Sequence, residues 1–150
     1  MHLLRKQDLS IYYFLTDLFS AFDFVNVVDG YPDEELKLPT ISIEAQDVLP
    51  LPHELGNRVG VRNRIWDINV FGLNKAQRDE FSYLILDNLE DGIPVFDYDE
   101  GFPPPIPTKL GLLSVEDITL TVVTIFPVIQ EKLYWRMSIM FSTIFNPSII

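Results

Sequence analysis

Apolar and polar residues recur with helical spacing in two segments of the chain. In residues 9–22 and again in residues 75–90, apolar positions lie three and four residues apart, which places them on one face of a helix. Asp8 stands at an N-cap position before the first segment, and Asn74 with Gln77 can form a capping pair at the start of the second. We therefore predict two helices, each packing one apolar face on a sheet.

Other segments alternate with the period of two that is typical of strands. In the stretch LPTISIE and the residues just after it, one set of alternate positions is mostly apolar and the other is polar. The apolar set is Ile41, Ile43 and Ala45, and the polar set is Thr40, Ser42, Glu44 and Gln46. Strands are also predicted in residues 24–28 and 62–72, a short one at the start of the segment that begins at residue 93, and two long ones within 112–145. The predicted fold class is α+β, with a mostly antiparallel twisted sheet, two main helices packed on it and long loops rich in proline and glycine.

Two segments fit neither period. Residues 47–60 and 97–108 contain proline and glycine at positions that interrupt any ladder, so we predict irregular loops. We also expect at least one of them to reorder when the protein assembles.

Length and composition narrow the function classes. The 150 residues fit one domain, spanning 1–150. A formal charge of −11 argues against a protein that coats phosphate backbones or anionic membranes, and the absence of cysteine excludes disulfides, thiolate nucleophiles and cysteine zinc sites. With 47% hydrophobic residues the mean hydropathy is positive, which indicates self-association. A well-filled monomer core is the alternative.

Motifs for catalysis or metal binding are weak in this sequence. The stretch HELGN begins like a zinc-protease helix, but Asn57 stands where the second histidine ligand belongs. Asp97, Asp99 and Glu100 cluster without the spacing of a calcium loop. We expect no metal, no cofactor and no enzymatic activity, although a pair of carboxylates brought together in space is an alternative.

Charge is segregated along the chain. Residues 87–100 carry six acids and no Lys or Arg, whereas Arg58, Arg62 and Arg64 lie in a stretch without acids. Opposite patches on one small domain suit head-to-tail contact between identical subunits, so these arginines are candidates for a subunit interface. The alternative is two unrelated solvated faces.

The order of these elements resembles that of a known family. An N-terminal amphipathic helix, a strand, GYP and LPTISIE, a loop with ELGNR, the stretch RIWDINVFGLNKAQRDEFSYLILDNL and a C-terminal strand pair are similar to the tail-terminator and neck proteins of long-tailed bacteriophages. The resemblance covers most of the chain and is densest in residues 31–91. It implies a ring, as a hexamer, that caps the tail tube and joins it to the head-side connector.

The resemblance also implies partners and site residues. The loop 47–60, with His53 and Glu54, would reach a neighbouring subunit. Acidic side chains would line the channel or rim through which DNA passes without specific binding; the candidates are Asp33, Glu34, Glu35, Asp97, Asp99 and Glu100. The expected partners are further copies of the chain, the tail tube protein and the head-side connector proteins.

Location and alternatives follow from the same resemblance. The protein would be assembled in the host cytoplasm and end in the virion, at the tail or neck. The sequence contains no signal peptide pattern and no membrane span. Another head-completion or connector subunit is the alternative within structural proteins, and a small oligomeric enzyme using paired carboxylates is the alternative from another class.

Overall fold

The computed structural model describes residues 1–30, 37–50, 62–123 and 135–147, without the side chains of 47–50 and 62. They form two helices and six strands. The helices are α1 (Leu3–Leu18) and α2 (Lys75–Leu89), and the strands are β1 (Asn26–Asp29), β2 (Thr40–Pro50), β3 (Arg62–Phe71), β4 (Ile93–Phe96), β5 (Lys109–Val123) and β6 (Arg136–Pro147). The chain is an α+β protein, which confirms the predicted class at this level.

The six strands form one curled, mixed sheet. Their spatial order is β1-β2-β3-β6-β5-β4. β1 runs parallel to β2, and the other neighbours are antiparallel. Helix α1 contacts both β1 and β4, the first and last strands in this order. The sheet therefore curls around α1.

The boundaries of α1 differ from the prediction. His2 caps the helix, with its Nδ1 accepting a hydrogen bond from the Leu4 amide at 3.1 Å, so the helix begins before Asp8. It ends at Leu18, and the Phe22 amide donates to the Phe19 carbonyl in a following turn. The predicted start at residue 9 and the Asp8 cap are therefore wrong. The Asp8 carboxylate binds a side chain of β3 instead.

The predicted start of α2 is confirmed. The Asn74 side chain accepts a hydrogen bond from the Gln77 amide at 2.9 Å, and the Gln77 side chain accepts one from the Leu73 amide at 2.8 Å. Gly92 follows the helix with a φ of +82° and donates its amide to the Leu89 carbonyl. Local capping chemistry thus fixes both ends of α2.

The core lies between the helices and one face of the sheet. Along β3, Trp66, Ile68 and Val70 alternate toward this face, and each is at most 1% exposed. Their partners across β6 are Phe141, Ile139 and Met137, which are also buried. Residues from both helices complete the core; they are Ile11, Leu15 and Phe19 of the N-terminal region and Phe81, Ile85 and Leu89 of α2.

The predicted solvated face of β2 is only partly exposed. Gln46 is exposed, but Thr40 and Ser42 are buried. Thr40 lies opposite Phe71 and Ser42 opposite Asn69, so both stand beside larger neighbours on β3. Phe71 and Asn69 are themselves fully buried, so this end of the predicted solvated face is covered.

The loop prediction for residues 47–60 is wrong in its first part. Residues 47–50 continue β2 and pair with β3 up to Pro50 opposite Arg62, after a register shift between Ala45 and Val48. The shift accommodates the change of period that suggested a loop. Residues 51–60 lie outside the described part of the chain. Residues 97–108 lie outside helices and strands, as predicted.

Candidate functional site

The acidic loop after β4 is tied to the start of α1. The Lys6 Nζ lies 3.0 Å from an Asp97 carboxylate oxygen and 3.1 Å from one of Asp99. The amino group of Met1 lies 2.9 Å from the other Asp99 oxygen. Glu100 is exposed on the same loop. Of the six acids assigned to a channel or rim, three lie in this loop, and two of these three, Asp97 and Asp99, also hold the loop in place.

These contacts shift the ionisation of both partners. Hydrogen bonds from the Met1 amino group and from Lys6 lower the pKa of Asp99 to about 2. The pKa of Lys6 is raised, chiefly by its hydrogen bond to Asp97 and further by the one to Asp99. The charged forms of Lys6 and Asp99 are thus stabilised together.

We predict that the Asp99 contact makes stability sensitive to acid. Because the folded-state pKa lies below the ordinary value of 3.8, the contribution is present above that pH and is lost as the pH falls toward about 2. In urea titrations, Asp99→Asn should lower the unfolding midpoint at neutral pH, and its difference from wild type should shrink over that acid range. Glu100→Gln removes a neighbouring charge on the same loop and serves as control. An equal, pH-independent loss in both variants would contradict the assignment.

Aromatic packing also fixes this loop, a feature that sequence reasoning missed. The Phe102 ring centroid lies 5.6 Å from that of Tyr12, 5.9 Å from Tyr13 and 5.5 Å from Tyr98. The buried Tyr98 hydroxyl shares a hydrogen bond of 3.0 Å with Ser10, and burial raises the pKa of Tyr98. In the sequence, the local sign of this contact is the adjacent aromatic pair Tyr12 and Tyr13 in α1.

Arg64 binds within the chain rather than at the surface. Its guanidinium donates to the Asp8 carboxylate at 2.8 Å, the Leu4 carbonyl at 3.0 Å and the Gln7 side chain at 3.2 Å. Its guanidinium carbon also lies 4.1 Å from the Trp66 ring centroid. The residue is 4% exposed. The structure gives Arg64 the role of joining β3 to α1, and we therefore remove it from the subunit-interface candidates.

The structure describes little or nothing of the remaining candidates for the subunit interface and the rim. Arg62 begins β3, and only its backbone is described. The further predicted interface and rim residues lie outside the described part of the chain; they are His53, Glu54, Arg58, Asp33, Glu34 and Glu35. Their assignment stays a prediction.

The C-terminal end of α2 presents acids to solvent. Asp87, Glu90 and Asp91 are exposed, and no Lys or Arg occurs between Arg78 and Lys109. These three acids give the C-terminal end of α2 an electronegative surface. The sequence predicted the charge, and the structure adds that these carboxylates face solvent.

The sheet leaves part of one edge strand without a neighbour among the described strands. β4 pairs with residues 109–113 of β5 only, and β6 occupies the other side of β5. Residues 114–123 of β5, which we call the β5 edge, extend beyond β4. Val122 within the β5 edge is 51% exposed. Unpaired strand edges of this kind are common sites of association.

Within the described ranges, no three His, Cys, Asp or Glu side chains come together as a metal site would require. In the same ranges, neither helix is long and apolar enough to cross a membrane. No protein-family model matches this chain, and no curated protein matches it significantly.

Proposed function

We propose that this protein is a structural virion subunit of a long-tailed bacteriophage. It forms a ring that caps the tail tube and joins it to the head-side connector, without enzymatic activity or cofactor. Its fold would be that of the tail terminators. The order of elements supports the proposal, because α1, a short strand, two paired strands, α2 and a final strand pair follow one another as in that family's pattern, with the short strand β4 added before the final pair.

The observation that carries the proposal is the exposed acidic surface at the end of α2. Asp87, Glu90 and Asp91 face solvent in a stretch of chain without basic residues. A wall of this kind repels the phosphate backbone, so DNA slides past instead of adhering. Such a surface suits a conduit better than a nucleic-acid binding site.

Subunit contacts in the ring would use the basic segment at and before the start of β3. Arg58 and Arg62, with His53 and Glu54, are the proposed contact residues, and acids of the next subunit are their counterparts. The proposed rim acids are Asp33, Glu34, Glu35, Asp99 and Glu100. Asp97 and Asp99 contribute less to a rim than Glu100, since the carboxylates of both already bind Lys6.

The enzyme alternative gains little from the loop acids. Asp97 and Asp99 are two carboxylates that come together in space, since both bind Lys6. Their side chains are 36% and 48% exposed, so they do not converge in a closed cleft. A head-completion or connector subunit is the second candidate, because an acidic conduit suits it equally.

Electron microscopy tests the proposed role directly. Antibodies against the protein, used for immunogold labelling of phage particles whose proteins include this chain, should label the junction of head and tail. The head-completion alternative predicts label on detached heads, whereas a tail terminator should stay with detached tails. Label on the capsid shell or the distal tail tip would overturn the proposal.

A second prediction concerns DNA binding at the acidic surface formed by Asp87, Glu90 and Asp91. Wild-type protein should not retard duplex DNA at physiological salt. A variant combining Asp87→Lys, Glu90→Lys and Asp91→Lys should retard it, since every charge of the patch changes sign. The matched control makes the same change in net charge at exposed acids elsewhere, namely Asp17, Asp23 and Glu80. Equal retardation by both variants would show that net charge alone decides, and tight DNA binding by wild type would contradict a conduit.

A further inference from the structure

The β5 edge offers backbone groups that no other described strand pairs with. The pairing of β4 with β5 ends at Ile93 opposite Leu113, while β5 continues to Val123. On its inner side the β5 edge pairs with β6, from Ser114 opposite Ile144 to Val123 opposite Arg136. Alternate N–H and C=O groups on the outer side therefore point away from the sheet, and no other described strand receives them.

The side chains of this edge favour strand pairing. Residues 118–123 read ITLTVV, with no charge and no proline, and five of the six are β-branched. Edge strands are usually protected by charge, proline or a bulge. Here a register shift between Glu116 and Thr119, with Asp117 at a φ of +54°, interrupts one end and leaves residues 119–123 in regular register.

The pattern of this segment is complementary to itself. If two copies pair antiparallel with Leu120 opposite Leu120, then Ile118 faces Val122 and Thr119 faces Thr121. Leu120 lies opposite Ile139 within the chain, so the apolar residues share the face that carries the helices. The threonines share the other face. Apolar residues thus meet apolar ones on one side, and hydroxyls meet hydroxyls on the other.

We propose that a second copy of this chain pairs with the β5 edge about a two-fold axis at Leu120. The contact joins two sheets into one and covers Val122, which is 51% exposed in the single chain. It is an isologous contact, in which each copy offers the same strand. It uses none of the charged residues assigned to the ring and does not rest on the proposed function.

Charge favours this partner over the other open edge of the sheet. Among the described strands, β1 pairs with β2 only at residues 40–43, so the later part of β2 is the alternative partner for the β5 edge of another copy. That arrangement brings Glu44 of β2 toward a strand that carries Glu116 and Asp117. In the two-fold arrangement Asp117 faces Val123, and the two Asp117 residues lie about 20 Å apart, six residues along the strand.

Cysteine cross-linking tests the register, since the chain has no cysteine of its own. Directly opposed residues bring their Cα atoms to about 4.5–5.5 Å, within the range that a disulfide spans. Leu120→Cys should therefore form a covalent dimer on mild oxidation. Thr119→Cys alone should cross-link poorly, whereas a mixture of Thr119→Cys with Thr121→Cys should give the heterodimer. Two results would overturn the register. One is self-cross-linking of Thr119→Cys as efficient as that of Leu120→Cys, and the other is efficient cross-linking of Thr121→Cys to Gln46→Cys.

The oligomeric state provides a second measurement. By light scattering coupled to size exclusion, wild type should be dimeric, and Val122→Lys should shift most of the protein to monomer with an unchanged circular dichroism spectrum. Tyr83→Lys, at a residue that is 53% exposed on α2, should leave the dimer intact. A wild type that is monomeric at every attainable concentration, with amides of 118–123 protected from hydrogen exchange, would show that another part of the chain covers the edge. That result would overturn the proposal and leave the ring proposal untouched.

Discussion

Replacing Arg64 by methionine is expected to lower the free energy of unfolding by about 3 kcal/mol. Removing one partner of a buried ion pair leaves the other charge without compensation, and such losses amount to about 3–5 kcal/mol. The lower end applies because the Asp8 side chain is 24% exposed and regains some water. The variant also removes the hydrogen bonds that Arg64 donates to the Leu4 carbonyl and to the buried Gln7 side chain.

Arg5→Met is the matched control for this prediction. Arg5 is also near Asp8, at 3.9 Å, and pairs with Asp29 at 3.2 Å, but its side chain is 49% exposed. Exposed pairs of this kind contribute about 0–1 kcal/mol. Urea unfolding followed by circular dichroism measures both variants. A loss for Arg64→Met no larger than that for Arg5→Met would contradict the structural role of the buried guanidinium.

The same prediction separates the structural role of Arg64 from the interface hypothesis. A charge reversal at Arg64 should unfold the protein or weaken it strongly, so its effect on assembly carries no information about a subunit contact. Arg62→Glu is the informative variant for the ring. If it abolishes assembly while the stability changes by no more than is usual for an exposed substitution, about 0.5 kcal/mol, the interface hypothesis gains support.

Local signals predicted those parts of the fold that depend on a few neighbouring residues. The start of α2 follows from Asn74 and Gln77, whose side chains each accept a hydrogen bond from a backbone amide at the start of the helix. The alternation in β3 similarly identifies Trp66 and Ile68 as core residues, because one face of the sheet carries the helices. In both cases the information is contained within a few residues of sequence.

The parts that could not be predicted depend on contacts between distant residues. Arg64 and Asp8 are 56 positions apart, and Lys6 and Asp99 are 93 positions apart. Nothing in residues 58–64 distinguishes a buried arginine from an exposed one until α1 is placed beside β3. The burial of Ser42 on the predicted solvated face is likewise not visible in the alternation of β2. Charge segregation therefore located the acidic surface but could not separate rim acids from those that hold a loop.

Gly111→Ala is expected to destabilise the protein by about 2–3 kcal/mol, toward the upper end of the range for overpacked sites. A Cβ at this position would lie 2.4 Å from the Asn146 carbonyl oxygen and 2.6 Å from a carbon of the Phe145 ring. The nearest atom belongs to the backbone of β6, so relief requires a shift of one strand against the other. Glycine within a strand often marks such a close approach.

The control is a glycine at which only backbone conformation is at stake. Gly101 has a φ of +134°, and a Cβ added there would meet nothing within 4 Å, so Gly101→Ala should cost about 1–2 kcal/mol through strain alone. Gly111 lies beside β4, at the far end of β5 from Leu120, and the two-fold contact should survive its replacement. We therefore expect Gly111→Ala to lower the urea midpoint well below that of Gly101→Ala, while the protein that stays folded is still dimeric. Equal midpoints would show that β6 yields easily at Asn146, and the close packing of the two longest strands would then not limit stability.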